Sequence, residues 1–139
     1  MKRRIEAEIF AWKRQAYRKP LVLMGARQVG KTWLMEDFAR KNFKHAHVID
    51  FREHPDYGSI FMGSKDPADL LPKLSAVLGQ KIDVTSDVLV FDEIQDCNEA
   101  LNSLKYFREK CPELAVMAAG SLLGLRIGKS PPPYSAFRA

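Results

Sequence analysis

The feature that most constrains this chain is an eight-residue segment, residues 25–32, which matches the phosphate-binding pattern G-x-x-x-x-G-K-[ST]. The apolar run Leu21-Val22-Leu23-Met24 comes directly before it, and a helical pattern follows from Lys31 to about Lys41. A loop between a buried strand and a helix directs backbone N–H groups and the positive end of the helix toward a polyanion. We therefore predict that the phosphates of a nucleotide are bound by Gly25, Ala26, Arg27, Gln28, Val29, Gly30, Lys31 and Thr32.

Two side chains of this segment have individual roles in the prediction. Lys31 reaches the β- and γ-phosphates as a point charge, and the Thr32 hydroxyl ligates a magnesium ion that bridges the same phosphates. The alternative is an accidental match within an unrelated fold, and the flanking strand and helix argue against it. On its own, the segment predicts only that a phosphate is held.

Short apolar runs alternate with amphipathic segments along the rest of the chain. Strands are predicted at residues 21–24, 46–51, 88–91 and 114–119, and helices at residues 3–18, 31–41, 66–78 and 99–110. This alternation requires a parallel sheet with helices on both faces. We predict a three-layer α/β/α P-loop NTPase fold with a mainly parallel sheet. Its parts are a basic N-terminal helix packed on the core (residues 1–20), the core (21–125) and an irregular tail (126–139).

A pair of adjacent carboxylates, Asp92 and Glu93, follows the third predicted strand. Ligands of α/β proteins bind at the carboxyl ends of the strands, so Asp92 is placed to hold magnesium, through a water. Glu93 beside it is placed to polarise the attacking water as a general base, a role that a nucleotide carrier does not require. The alternative for Glu93 is an ordinary acid of a surface loop. The pair predicts that the bound nucleotide is hydrolysed.

The pattern around these motifs favours one class of P-loop protein. An Asn-Lys-x-Asp segment and a glycine three residues after Asp92 are both missing from the sequence, and this disfavours a GTPase. One whole strand separates the two motifs, so the chain looks like the additional-strand, catalytic-glutamate division of P-loop ATPases. In that division a polar residue at the end of the fourth strand senses the γ-phosphate, and Ser121 falls at this position. A plain turn at Gly120-Ser121 is the alternative.

The net charge of +5 is concentrated at the N-terminus. Residues 1–20 contain seven Lys and Arg against two Glu, a difference of +5. Clustered basic residues attract phosphate, so this segment can mark contact with nucleic acid or with a membrane surface. We favour the alternative, a solvated helix face, because charge alone rarely identifies a partner.

The sequence also bears on the cellular location of the protein. No apolar run reaches the roughly 18 residues that a membrane helix needs, and Glu6 and Glu8 interrupt any signal peptide. The cysteines, Cys97 and Cys111, lack metal-ligand spacing and are expected to be free thiols. We therefore expect a soluble, cytoplasmic protein with no membrane contact.

Several other residues have side chains that can take part in catalysis or binding, but their spacing assigns them no catalytic role. His45 and His47 share one face of a predicted strand, but with no third ligand in view they are expected to be partly buried packing residues or surface residues rather than metal ligands. Arg126 has no spacing that specifies a charge-stabilising arginine. Trp12 and Tyr17 are candidates to border an adenine, although the helical pattern favours Trp12 as the core anchor of the first helix.

Three segments together resemble a known family. They are Gly-Ala-Arg-Gln-Val-Gly-Lys-Thr at residues 25–32, Phe-Asp-Glu-Ile-Gln at 91–95 and Ala-Gly-Ser-Leu-Leu-Gly at 119–124. In order and spacing they resemble the AAA-type ATPases that carry a C-terminal DUF4143 domain, over about residues 3–125. The resemblance implies that ATP is bound and hydrolysed, with Lys31, Thr32, Asp92 and Glu93 matching the family's motif positions.

The chain departs from this pattern after Leu125. The resemblance implies a sheet order of 5-1-4-3-2, whereas the sequence continues with Gly128-Lys129-Ser130 and three prolines. We therefore expect a shortened or frame-shifted copy, or a deliberately cut piece, that lacks the fifth strand. A missing fifth strand would leave the edge of the first strand uncovered and promote self-association.

Three functional hypotheses follow. The leading one is an ATPase core whose hydrolysis of Mg-ATP drives a conformational change. The second is a binding module that uses ATP as a switch ligand with negligible turnover. The third is an ATPase that engages nucleic acid through the basic first helix.

Overall fold

The computed structural model describes residues 2–15, 19–25, 29–121 and 135–138. The helices are α1 (Lys2–Lys13), α2 (Val29–Asn42), α3 (Pro67–Leu78) and α4 (Asn98–Lys110), with short 3-10 helices at Pro55–Phe61 and Ile94–Asp96. The strands are β1 (Leu21–Gly25), β2 (Ala46–Asp50), β3 (Val88–Asp92), β4 (Ala115–Ser121) and β5 (Ser135–Arg138). The four strands and four helices expected between residues 3 and 121 are therefore all present.

The strands form one sheet in the order β2-β3-β4-β1-β5, and every neighbouring pair is parallel. Alternate residues of each central strand face opposite sides. Leu89 and Phe91 pack in one apolar cluster with residues of α3 and α4, while Val88 and Val90 pack in a second cluster with residues of α1 and α2. Burial on both faces explains why β1, β3 and β4 have continuous apolar sequences. The predicted three-layer α/β/α fold is confirmed.

The C-terminal tail differs from the prediction. Residues 135–138 form β5, which pairs in parallel with β1 from Leu21↔Ser135 to Met24↔Arg138. The expectation of a missing fifth strand was therefore wrong, and so was that of an irregular tail for residues 135–138, the part of the predicted tail that the structure describes. The outer edge of β1 presents backbone N–H and C=O groups that an extended segment can pair, and a four-residue strand has too little hydrophobic pattern to reveal it. Because β5 covers this edge, the predicted self-association through it loses its basis.

The first helix is shorter than expected. It ends at Lys13 rather than residue 18. The buried Trp12 indole N–H donates to the backbone carbonyl of Lys19. A helix that continued to Lys19 would place that carbonyl about 10 Å farther along the axis, too far for this hydrogen bond. Ile9 and Trp12 are both buried in the core, and the assignment of Trp12 as core anchor is confirmed. None of these contacts tests the nucleic-acid hypothesis, which stays a prediction.

The third helix starts where the sequence predicted. The Asp66 carboxylate accepts a hydrogen bond from the Ala68 N–H at 3.0 Å, and Pro67 occupies the first helical position. In the described part of the chain, no helix is long and apolar enough to cross a bilayer. The cytoplasmic location stays a prediction.

Candidate functional site

Four strand ends converge at the carboxyl edge of the sheet. Gly25 at the end of β1 is in register with Ser121 at the end of β4, and Asp50 at the end of β2 is in register with Asp92 at the end of β3. The predicted phosphate-binding segment, the predicted magnesium ligand and the predicted sensor therefore begin or end at one edge. This is the edge where open parallel sheets bind ligands.

The phosphate-binding segment is described in part. Strand β1 ends at Gly25 and α2 begins at Val29, so the strand predicted before the segment and the helix predicted after it are confirmed. Val29, Gly30, Lys31 and Thr32 form the first turn of α2. Ala26, Arg27 and Gln28 lie outside the described residues, as do Tyr17 and Arg126. The binding roles of residues 25–32 stay predictions.

Asp92 is a buried carboxylate in an acidic environment. Its side chain is 4% exposed, and one oxygen accepts a hydrogen bond from the Glu93 N–H at 2.9 Å. Burial, followed by the negative charges of Asp50, Glu93 and Glu36, raises the pKa of Asp92 to about 6. The ionised form of the Asp92 carboxylate is therefore destabilised in the free protein. A bound cation would stabilise the ionised form.

Glu93 adopts a backbone conformation that is rare for its residue type. Its φ of 55° and ψ of 45° are left-handed, and it is the one non-glycine residue with positive φ in the described part of the chain. This conformation costs an L-residue about 1 kcal/mol or more. It turns the chain sharply out of β3, so Glu93 lies at the sheet edge rather than continuing along the strand. Strain of this kind is often found at functional positions.

Arg52 is a site residue that the sequence reasoning missed. Its guanidinium lies 3.0 Å from the Glu93 carboxylate and 3.0 Å from that of Asp96, and its backbone N–H donates to Asp50 at 2.8 Å. Arg52 comes two residues after the end of β2. Its position just past a strand end was the signal that could have identified it.

Gln95 is a second missed residue. Its amide oxygen accepts a hydrogen bond from the Ser121 N–H at 3.0 Å, so it joins the end of β4 to the segment that follows β3. A Cβ on Gly120 would lie only 2.7 Å from the same amide oxygen, so a side chain at position 120 would require Gln95 to shift. Ser121 itself is buried at the sheet edge, as its predicted position requires. Its role as γ-phosphate sensor stays a prediction.

The two histidines lie away from this site. His45 is exposed and directly precedes β2. His47 is buried in β2, and its Nε2 lies 2.8 Å from the carboxylate of Asp87, the residue that directly precedes β3. Both therefore belong to the opposite, amino-terminal edge of the sheet. Burial alone would raise the pKa of Asp87, but hydrogen bonds from His47, the Asp83 N–H and Ser86 hold it below its usual value. Asp87 is therefore an ionised acceptor, to which His47 donates from Nε2.

Asp87→Asn is expected to lower the free energy of unfolding at pH 7 by about 1–3 kcal/mol, because it weakens a buried charged hydrogen-bond acceptor. A carboxylate whose folded pKa is depressed stabilises the protein above its unfolded pKa near 3.8, and this stabilisation is lost as pH falls through the folded value. Urea unfolding at pH 7 and near pH 3 should therefore show a larger difference between parent and variant at pH 7. The exposed Asp56→Asn is the matched control, and an equal loss at both pH values would contradict this assignment.

Comparison with known proteins gives the family. Residues 17–132 match the family of AAA domains, which is most of the chain. The fold is similar to that in the structure of C. elegans PCH-2, with 13% sequence identity and a TM-score of 0.51. The match covers 87% of this chain and 36% of the PCH-2 chain, so this chain spans about a third of that one. No curated protein sequence matched the chain.

The family match covers both carboxylates at the end of β3, the strand end at Ser121 and the complete phosphate-binding segment. The similarity to PCH-2 agrees with it at the level of the fold. The chain therefore belongs to the AAA domain family.

Proposed function

We propose that this chain binds Mg-ATP and hydrolyses it to ADP and phosphate, and that turnover drives a conformational change. The observation that carries the proposal is the buried Asp92 carboxylate followed by Glu93 at the sheet edge where β1 enters the phosphate-binding segment. The segments at residues 25–32 and 91–95 resemble ATPases with a C-terminal DUF4143 domain. We propose such a domain as the part that moves.

The residues at this edge fit a magnesium ion. The carboxylates of Asp50, Glu93 and Glu36 contribute to the raised pKa of Asp92, and a divalent cation would be attracted to these negative charges. No group of three His, Cys, Asp or Glu side chains gathers within the described ranges, and Mg²⁺ commonly takes only one or two protein carboxylates beside phosphates and waters. Asp92 and Thr32 are the proposed ligands. The ion would neutralise charge on the phosphates during transfer.

Glu93 is the proposed general base. A carboxylate at this position accepts a proton from the attacking water, and Lys31 stabilises the charge that develops on the phosphate oxygens. The left-handed turn holds Glu93 at the edge, and its neighbour Asp92 is anchored in β3. The two carboxylates therefore have different proposed roles. The buried Asp92 would bind the cation, and the less buried Glu93 would accept a proton from the attacking water.

A second function, an ATP-binding switch with negligible turnover, is favoured by one contact. Arg52 lies 3.0 Å from the Glu93 carboxylate. A carboxylate held in an ion pair with a guanidinium is less available to contact the attacking water. If that pair persists with nucleotide bound, the chain binds ATP without hydrolysing it. Measuring affinity and turnover on one preparation separates the two functions.

Lys31→Ala is expected to lower the affinity for Mg-ATP at least about tenfold, because it removes the charged contact to the β- and γ-phosphates. Titration calorimetry with Mg-ATP measures the effect. Lys41→Ala is the matched control, since Lys41 lies on the same helix and pairs with Asp37 at 3.0 Å, outside the proposed site. Equal affinities of the parent and the Lys31 variant would contradict the proposed binding mode.

A further inference from the structure

Strand β4 extends beyond its neighbour β3. The two strands pair from Val88↔Ala115 to Phe91↔Ala118, whereas β4 continues to Ser121. The left-handed turn at Glu93 takes the chain away before further pairs can form. The last residues of β4 therefore lie beyond the reach of strand pairing with β3.

Gln95 takes the place of that strand. Its side-chain oxygen accepts the Ser121 N–H at 3.0 Å, as a backbone carbonyl of β3 would have done. The fit is close, since a Cβ on Gly120 would lie 2.7 Å from this oxygen and 3.1 Å from a methyl carbon of Ile94. The Ile-Gln that follows the two carboxylates and the Gly-Ser that ends β4 are thus one packed unit.

The other end of the Gln95 amide is not satisfied within the described part of the chain. Its nitrogen is buried from solvent and has no hydrogen-bond partner there. An amide nitrogen carries two donors, and leaving a buried donor unpaired costs about 1–3 kcal/mol. Buried groups of this kind call for an explanation, and a ligand that supplies the acceptor is one.

The position of the amide indicates what that ligand would be. Ser121, which Gln95 holds, is in register with Gly25 on the other side of β4. Adjacent strands lie about 4.8 Å apart, and Gln95 lies on the side of β4 that faces away from β1, so its amide is about two strand spacings, roughly 10 Å, from the start of the phosphate-binding segment. Gln95 is also two residues from Glu93. A phosphate oxygen beside the attacking water is therefore the nearest kind of acceptor that the proposed function supplies.

We propose that Gln95 distinguishes a nucleoside triphosphate from a diphosphate. Its amide oxygen fixes Ser121, and its amide nitrogen donates a hydrogen bond to an oxygen of the terminal phosphate. The inference rests on the proposed function, because it requires a nucleotide at this edge. It assigns a specificity-determining role to Gln95, a residue that has no role in the proposed binding and hydrolysis of Mg-ATP.

Titration calorimetry with a non-hydrolysable ATP analogue and with ADP tests the proposal on the whole chain. In Gln95→Met, which loses both ends of the amide, the affinity for the analogue should fall about tenfold, or 1.4 kcal/mol. The affinity for ADP should stay within about twofold of the parent. Gln95→Glu keeps an acceptor for the Ser121 N–H but replaces the donor with a negative oxygen, so it should lose at least as much preference for the analogue. Gln80→Met, on the exposed Gln80, is the control.

The outcomes distinguish a failure of the Gln95 role from a failure of nucleotide binding. Equal losses for both ligands in Gln95→Met, or no loss, overturn the role of Gln95 and leave nucleotide binding intact. If Gln95→Met does not fold, Gln95→Glu decides, and an unchanged preference for the analogue overturns the proposal. If the parent binds neither ligand, the proposed function fails first, and the role of Gln95 fails with it.

Discussion

Glu93→Gln is expected to reduce ATP turnover by about 100-fold or more while leaving the affinity for Mg-ATP within about threefold of the parent. Glutamine retains the shape of glutamate and cannot accept a proton from water at neutral pH. The variant also loses the ion pair with Arg52, whose side chain is 40% exposed. Pairs this exposed contribute less than about 1 kcal/mol. The fold should therefore survive, and the loss should be confined to chemistry.

Steady-state phosphate release and calorimetric affinity, measured on the same preparations, test this expectation. Glu109→Gln is the matched control, because Glu109 is an exposed glutamate on α4. A turnover of the Glu93 variant equal to that of the parent would rule out Glu93 as the base. A loss of turnover together with an equal loss of affinity would instead assign Glu93 to binding.

Asp92→Asn is expected to stabilise the free protein while weakening its binding of Mg-ATP. Burial and neighbouring carboxylates raise the pKa of Asp92 to about 6, so its ionised form is destabilising at pH 7. A rise of the pKa from 3.8 to about 6 corresponds to at most about 3 kcal/mol. Because the folded state binds the proton more tightly than the unfolded state, stability should fall as pH rises from about 4 to 6. Asparagine has no such dependence and keeps an oxygen acceptor for the Glu93 N–H.

Urea unfolding at pH 7 without nucleotide should show the variant to be about 1–3 kcal/mol more stable, with the difference shrinking toward pH 4. The magnesium-dependent part of ATP affinity should fall about tenfold or more, since a neutral amide replaces a charged ligand. Asp56→Asn, at an exposed aspartate, controls for the loss of one negative charge. A variant less stable than the parent at pH 7 would show that the Asp92 carboxylate stabilises the free protein. The inference that the ionised Asp92 carboxylate destabilises the free protein would then be wrong.

The part of the site that sequence predicted depends on local patterns. The apolar run before Gly25 and the helical pattern after Lys31 indicate a strand and a helix, and the structure has both. Asp92 and Ser121 follow apolar runs, and the carboxyl ends of parallel strands meet at one edge of a sheet. Their shared edge therefore follows from topology alone, before any side-chain geometry is known.

The missed features depend on contacts between distant segments. Arg52 and Gln95 have roles only because chain turns bring them to Glu93 and Ser121, and no periodicity encodes such turns. Strand β5 was missed for a related reason, since a four-residue segment is defined by the edge it pairs with rather than by its own sequence. The left-handed backbone conformation of Glu93 could not be predicted from the sequence either, because such positions are usually occupied by glycine or asparagine.

The central claim is that the carboxyl edge of this sheet hydrolyses ATP, and phosphate release from saturating Mg-ATP by the parent chain tests it most directly. We predict release that requires magnesium, falls about 100-fold or more in Glu93→Gln and disappears in Lys31→Ala. Release by the parent no faster than by the two variants would contradict the claim, even if all three proteins bind ATP.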